Sequence, residues 1–276
     1  MNTLKTWLLL GALAALAVGI GRLFGPTGAL VGLAFALVSN GVAYFFGDKI
    51  ALSSVRARPL TPGELPWLQE MADELSRRAR IPAVPIYLSD DPQPNAFAAG
   101  RGPGKSVVCI NAGLLRAMTQ TEVEAVLAHE IGHIVNRDTL IMTVAAATAG
   151  VITYLAHMAM WFGGPRDENG NSSIVGTLAL AILAPIAAML VQLAVSRTRE
   201  YAADRKSAEL LDTAAPMINA LRKLEHDTET IRSRYAQPAT AHMYVSAPLR
   251  GSGIMGLFST HPAIADRVKK LAEYGH

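Results

Sequence analysis

Four runs of the chain contain no Asp, Glu, Lys or Arg: Thr6–Gly21, Leu23–Gly47, Thr139–Pro165 and Asn169–Ser196. At 1.5 Å per helical residue the last three can cross a hydrocarbon core of about 30 Å, and the first does so if Arg22 extends its head group to the interface. Uncharged runs of this length are rare in water-soluble cores. With 51% hydrophobic and only 17% charged residues among 276, the chain is too apolar for an ordinary soluble enzyme. The expected fold class is a mainly α membrane protein with four transmembrane helices. Lys5 followed by an apolar run also opens a signal peptide, but the cleavage candidate Ala12-Leu13-Ala14 falls inside the run. A second span follows at once, so retention of the first segment is expected.

Basic residues near the span ends set the orientation. Lys5, then Lys49, Arg56 and Arg58, then Arg137, then Arg197, Arg199, Arg205 and Lys206 share one side of a four-span topology, and Arg22 and Arg166 the other. Both termini are expected in the cytoplasm of a multi-pass protein of the cell (inner or plasma) membrane. The chain then divides into a transmembrane hairpin at 1–47, a cytoplasmic segment at 48–138, a second hairpin at 139–196 and a second cytoplasmic segment at 197–276. Neither polar segment alone suffices for a good core, so the two are expected to pack together on the membrane surface. The single Cys109 forms no internal disulfide and, within Val107-Val108-Cys109-Ile110, reads as part of a buried strand. The net charge of +3 is accounted for by the one-sided basic residues and calls for no nucleic-acid partner.

Chemistry enters with His129-Glu130-Ile131-Gly132-His133. At 3.6 residues per turn the two imidazoles lie about 40° apart on one helix face, and Glu130 lies about 60° from His133. This spacing lets two histidines share one zinc ion while a carboxylate stands beside it. Thr119-Gln120-Thr121-Glu122 reads as a capping box, and Val123, Val126, Leu127, Ile131 and Ile134 form an apolar stripe apart from the histidines. An ordinary amphipathic helix with solvated histidines is the plainer alternative.

A third ligand has to come from the other cytoplasmic segment. Arg197-Thr198-Arg199-Glu200-Tyr201-Ala202-Ala203-Asp204 is expected to continue the fourth span as a charged helix, with Glu200 and Asp204 on one face. Glu200 is expected to bind the metal and Asp204 to orient a ligand imidazole; a solvated face of mixed charge is the competing reading. Asn95, Ala96 and Phe97, with Ala98, precede a Gly-rich turn, Gly100-Arg101-Gly102-Pro103-Gly104, and a strand from Ser106 to Ile110. They read either as the exposed first arm of a hairpin, to which an extended substrate adds by backbone hydrogen bonds, or as a loop without a ligand.

Several short motifs then fall in one order: the His-Glu-Ile-Gly-His run with Asn136 and Asp138, Arg-Glu-Tyr-Ala-Ala-Asp, Asn95-Ala96-Phe97-Ala98, and Ser259-Thr260-His261-Pro262 with Arg267. Together they resemble the HtpX-type membrane zinc metalloproteases, relatives of the CAAX prenyl proteases. The resemblance implies a gluzincin-like α+β catalytic domain built from the two cytoplasmic segments. It implies one zinc ion per chain on His129, His133 and Glu200, with Glu130 acting on water. Membrane-protein and unfolded polypeptide substrates, a bilayer setting, and stress-response quality control of membrane proteins are implied with it. Ala99 and Ser207 depart from the family pattern, where Thr and Gly are common.

With zinc polarising a scissile carbonyl, Glu130 is expected to take a proton from the attacking water and pass it to the leaving amine. His261 is expected to donate to the tetrahedral oxyanion; it reads equally as the residue ahead of a helix with Pro262 in its first turn, and the two roles are compatible. His157 lies within the third span and reads as a packing group, while His226, His242 and His276 lack metal spacing. Pro248–Phe258 reads as a loop that either touches lipid or substrate or closes the core. Two alternatives stand beside the endopeptidase: a prenyl-protein-type processing protease, and a non-enzymatic membrane scaffold with a structural zinc site.

Overall fold

A computed structural model describes residues 2–22, 25–149, 196–231, 233–235 and 262–274. The third apolar run beyond Ala149, most of the fourth, His157, His242, His261, His276 and the Pro248–Phe258 loop lie outside the described residues.

Helices α1 (Asn2–Arg22) and α2 (Gly25–Ser54) form an antiparallel pair. Small residues let their backbones approach: a Cβ on Gly32 would fall 2.3 Å from the Ala17 carbonyl oxygen. Asn40 donates to the Leu10 carbonyl at 3.0 Å, and Trp7 stacks on Tyr44. Among the described residues α2 is the one helix long and apolar enough to cross a membrane, and the apolar part of α1, Thr6–Gly19, is shorter. α2 also runs seven residues past Gly47, the expected end of the second span, because Asp48 and Lys49 are tolerated once the helix has left the apolar layer.

After α2 the chain enters a mixed sheet of β1 (Arg58–Pro59), β2 (Ile86–Ser89), β3 (Ala96–Gly100) and β4 (Ser106–Asn111), in the order β1-β2-β4-β3. β2 and β4 run parallel, while β3 pairs antiparallel with β4, Phe97 opposite Cys109. The turn between β3 and β4 depends on Gly100, whose φ is +139° and whose Cβ would fall 2.2 Å from the Lys105 carbonyl oxygen. Cys109 is fully buried in β4, and burial pushes its thiol pKa well above the usual range.

Helices α3 (Pro66–Arg78), α4 (Ala112–Ala117), α5 (Gln120–Val135), α6 (Thr139–Ala149), α7 (Arg197–Leu211), α8 (Ala215–Thr230) and α9 (Ile264–Tyr274) complete the described fold. α5 begins at the expected capping box: the Thr119 hydroxyl accepts from the Glu122 N–H, and the Glu122 carboxylate accepts the Thr119 N–H at 2.8 Å. The apolar stripe of α5 is present, but the stretch that carries the histidines is covered on every side, since every residue from Ala125 to Ile134 is buried. One core joins the two polar segments: Leu68, Ile110, Leu127, Ile131 and Ile134 pack in the same cluster as Met217, Leu221 and Leu271. Each such fully buried side chain contributes about 1.5–3 kcal/mol, so α5 is held rigidly from both sides.

Candidate metal centre

Helical periodicity alone brings the two histidines together. The rings of His129 and His133, one turn apart on α5, have centroids separated by 4.8 Å and planes at 88°. Glu200 arrives from the first turn of α7, its carboxylate oxygens 3.9 Å from His129 Nε2 and 3.6 Å from His133 Nε2. The three donor atoms lie within 4.8 Å of one another, and all three side chains are buried. A tetrahedral ion with bonds of about 2.0–2.2 Å needs donors roughly 3.3–3.6 Å apart. A small tightening of the three groups is enough to enclose one cation.

The close approach of α7 rests on two small residues. A Cβ on Gly132 would sit 3.1 Å from Ala203 Cα and 3.1 Å from Lys206 Cβ, so the glycine inside the histidine motif sets the spacing between the helices. Ser207 is fully buried and its hydroxyl donates to the Ala125 carbonyl at 2.7 Å, fixing the register of α7 on α5. The departure at Ser207 is thus a tie between α5 and α7. The charged helix was expected to continue the fourth span. Instead it starts afresh at Arg197, because Ser196 is extended at φ −142°, ψ 126°.

Each imidazole is oriented by a carboxylate on its far nitrogen. His133 Nδ1 lies 3.1 Å from Asp138 Oδ2, in hydrogen-bond geometry. Asp138 reaches that position because α5 ends in a Schellman motif: the Asp138 N–H bonds to the His133 carbonyl and the Arg137 N–H to the Ile134 carbonyl. Arg137 takes the left-handed position at φ 59° that glycine usually fills. His129 Nδ1 lies 2.9 Å from Asp204 Oδ1, an ion-pair contact off the direction of a straight hydrogen bond. Asp204 is in turn held by Arg267 of α9, whose Nε and Nη2 donate to its two oxygens at 2.8 and 2.6 Å. The remaining nitrogen of Arg267, Nη1, lies 3.4 Å from Glu200 Oε2.

Electrostatics fit a divalent cation. Glu130, Asp138, Glu200 and Asp204 are buried here against two buried guanidinium groups, Arg199 and Arg267. Four negative and two positive groups leave two charges that a metal dication balances, and uncompensated buried charge is costly. Burial pushes the Glu130 carboxyl up, with Glu200 adding to the effect and the two histidines opposing it. Burial also acts to raise Asp204, but Arg267 outweighs it and holds the carboxyl at about 2. For His133 burial favours the neutral ring, yet the hydrogen bond its Nδ1–H donates to Asp138 and the charges of Glu200 and Glu130 carry its pKa up to about 9. A proton and a metal therefore compete for His133.

Glu130 lies beside the three candidate ligands without belonging to the set, and the backbone N–H of Ala98 is close enough to favour its charged form. β3 is the outer strand of the sheet, as expected, but it is not exposed: Asn95, Ala96, Phe97 and Ala98 are all buried. At the end of its outward edge the Gly100 N–H donates to Thr143 Oγ1 of α6 at 3.0 Å, and the Ala98 N–H acts on Glu130. Phe97 and Ala99 pack with Ala51, Leu52 and Val55 at the end of α2 and with Ala146 of α6. This explains the small side chain at Ala99, which sits 1% exposed in that contact.

Asp138, Arg267 and Gly132 had no assigned role in the sequence reading. A signal existed for each. Asp138 follows the second histidine by five residues, Gly132 lies inside the motif, and Arg267 aligns with the apolar residues Ile264 and Leu271 on one face of α9. A cation in a core stripe implies a buried partner.

The description of peptidase family M48 fits residues 62–274. That span takes in every residue of the centre. The chain belongs to peptidase family M48. Its relatives include a "Protease HtpX homolog" from Persephonella marina, 46% identical over 280 residues covering 99% of this chain and 97% of that one. Another from Pelotomaculum thermopropionicum is 45% identical over 277 residues, 98% of each chain. Among solved structures, S. mikatae Ste24p superposes with a TM-score of 0.50 at 19% identity, covering 98% of this chain and 65% of that one. The M48 fold is therefore shared with Ste24p, and the M48 family assignment makes this chain a metalloprotease.

Proposed function

We propose that the chain is a zinc endopeptidase of the membrane that cleaves misfolded or damaged membrane proteins on their cytoplasmic side. The observation that carries this reading is the meeting of His129, His133 and Glu200 at one point, with Glu130 beside them and outside the ligand set. A structural metal site has no use for that spare carboxylate, whereas hydrolysis requires a base next to an open coordination position. The HtpX homologues and the apolar helix α2 support the membrane setting, and the one-sided basic residues support a cytoplasmic site in a four-span topology. The division at 1–47, 48–138, 139–196 and 197–276 belongs to the same proposal, supported by the common core of the two polar segments.

His129, His133 and Glu200 would hold the zinc, which supplies Lewis acidity to a water and to the scissile carbonyl. Glu130 takes the proton of that water; its raised pKa brings it closer to the range where a carboxylate can both accept and return a proton near neutral pH. It then delivers the proton to the leaving amine. Asp138 and Asp204 keep the two imidazoles turned with Nε2 toward Glu200. An extended substrate is placed along the outer edge of β3, using the backbone of Asn95, Ala96 and Phe97, with Ala98 facing Glu130. Because that edge is buried and its Gly100 N–H is held by Thr143, substrate that pairs along the full strand has to displace this contact. His261 is proposed as the oxyanion donor, supported by chain proximity: Arg267, six residues on, reaches Asp204 and Glu200.

Metal analysis of the detergent-purified chain, paired with cleavage of an unfolded polypeptide and of a membrane protein, tests the reading. One zinc per chain is expected in both the native form and Glu130→Gln, with cleavage reduced at least 10²- to 10⁴-fold in the variant, as for loss of a general base. Undiminished cleavage by Glu130→Gln would reject the hydrolytic role, and loss of zinc from it would move Glu130 into the ligand set.

A further inference from the structure

We propose that the turn between β3 and β4 is a binding site for the phosphate of an anionic phospholipid, formed by Arg101, Lys105 and Lys49 above a band of aromatic rings on α2. The proposal rests on the membrane reading of α2 given above. From Gly25 to Tyr44 the helix rises about 28 Å, close to the thickness of a hydrocarbon core of about 30 Å. Tyr44, Phe45 and Phe46 therefore fall at the boundary between acyl chains and head groups, where aromatic side chains collect. Trp7 of α1 stacks on Tyr44 at the same level. Phe45 and Phe46 are 55% and 50% exposed, an unfavourable arrangement in water that an interfacial lipid relieves.

The turn is folded down onto this band. The Arg101 guanidinium lies 5.6 Å from the Tyr44 ring centroid and 5.3 Å from that of Phe45, and Lys49 lies 5.7 Å from Phe46. Lys105 closes the same turn, its carbonyl accepting the Arg101 N–H at 3.1 Å, and its side chain is exposed. Arg101, Lys105 and Lys49 carry three positive charges and Asp48, next to Lys49 in the chain, one negative charge, an excess of two at head-group depth. An anionic phosphate matches that excess, and a zwitterionic head group does not. Gly100 at the base of the turn bonds to Thr143, and Ala98 two residues back turns its N–H toward Glu130. Gly100 and Ala98 are two residues, about 7 Å, apart along β3, so a lipid bound at the turn acts on the strand that carries the substrate edge.

Titration of the full chain in detergent with short-chain phosphatidylglycerol, short-chain phosphatidylcholine and free glycerol phosphate tests the site, with binding read by calorimetry. Phosphatidylglycerol is expected to bind more tightly than the other two. Arg101→Gln with Lys105→Gln should weaken it roughly thirtyfold, at about fivefold per basic residue, while Arg101→Lys with Lys105→Arg keeps the preference. Lys49→Gln, on a different element, should cost about fivefold and serves if the double variant fails to fold. Unchanged phosphatidylglycerol binding in the Gln variants overturns the site, as does equal binding of glycerol phosphate. Carbonate extraction of membranes separates the site from the membrane reading beneath it. A released chain overturns the spanning reading, whereas a retained chain without head-group preference overturns the turn site alone.

Discussion

Arg267→Met is expected to reveal how far the centre depends on a single buried cation. The side chain is 0% exposed, donates twice to Asp204 at 2.6 and 2.8 Å, and faces Glu200 at 3.4 Å. Methionine fills a similar volume but leaves Asp204 and Glu200 as neighbouring buried anions with one cation fewer. Breaking a buried pair from one side costs about 3–5 kcal/mol, which for a domain of this size lowers the unfolding temperature by roughly 6–20 °C. The loss should be largest with metal chelated and smaller with zinc present, because the dication supplies part of the missing positive charge. Adding Asp204→Asn removes one of the stranded anions, so the double variant should recover about 2–3 kcal/mol relative to the sum of the single changes. Thermal unfolding in detergent, with Glu130→Gln as the common background to prevent self-digestion, measures all four corners of the cycle. A loss below about 1 kcal/mol for Arg267→Met in chelator, or strict additivity, would refute the charge-balance account of the site.

The raised pKa of His133, about 9, means that zinc must displace a proton at neutral pH. Zinc affinity should therefore rise about tenfold per pH unit up to roughly pH 9, as read by competition with a fluorescent chelator; a flat profile between pH 7 and 9 contradicts it. The sign reverses for the metal-free chain, whose His133 stabilises the fold while protonated and loses that contribution as pH rises through about 9. Asp138→Asn removes the carboxylate that orients this ring, and should weaken zinc binding about 10–100-fold while moving the pH dependence to lower pH. Gly132→Ala inserts a methyl group 3.1 Å from two atoms of α7, pushing Glu200 away from the histidines; zinc affinity should fall about tenfold with the helix content unchanged by circular dichroism.

Local rules were sufficient for much of α5. Periodicity placed His129 and His133 on one face, the capping box located the start of the helix, and an acidic pair on the next charged helix named Glu200 and Asp204, all of which meet in the structure. Where expectation and structure part, distant portions of the chain are responsible. β3 has the pattern of an exposed edge strand, but the end of α2 and the side chains of α6 cover it, and the sequence of the strand does not encode what lies across from it. Ser196 is part of an uncharged run, and only the conformation adopted on reaching α5 shows that the helix begins at the following residue.

Motif spacing, helix capping and the separation of charged from uncharged segments are short-range properties, and the amino-acid order was enough to place His129 and His133 on one helix face, the start of α5 and the apolar helix α2. Long-range packing decided the rest. Arg267 became the clamp on Asp204, Gly132 the gap that admits α7, and Thr143 the group that closes the substrate edge, since each acts through a partner contributed by another part of the chain. A buried charge or a missing side chain has meaning only in relation to the atoms that tertiary folding brings within a few ångströms.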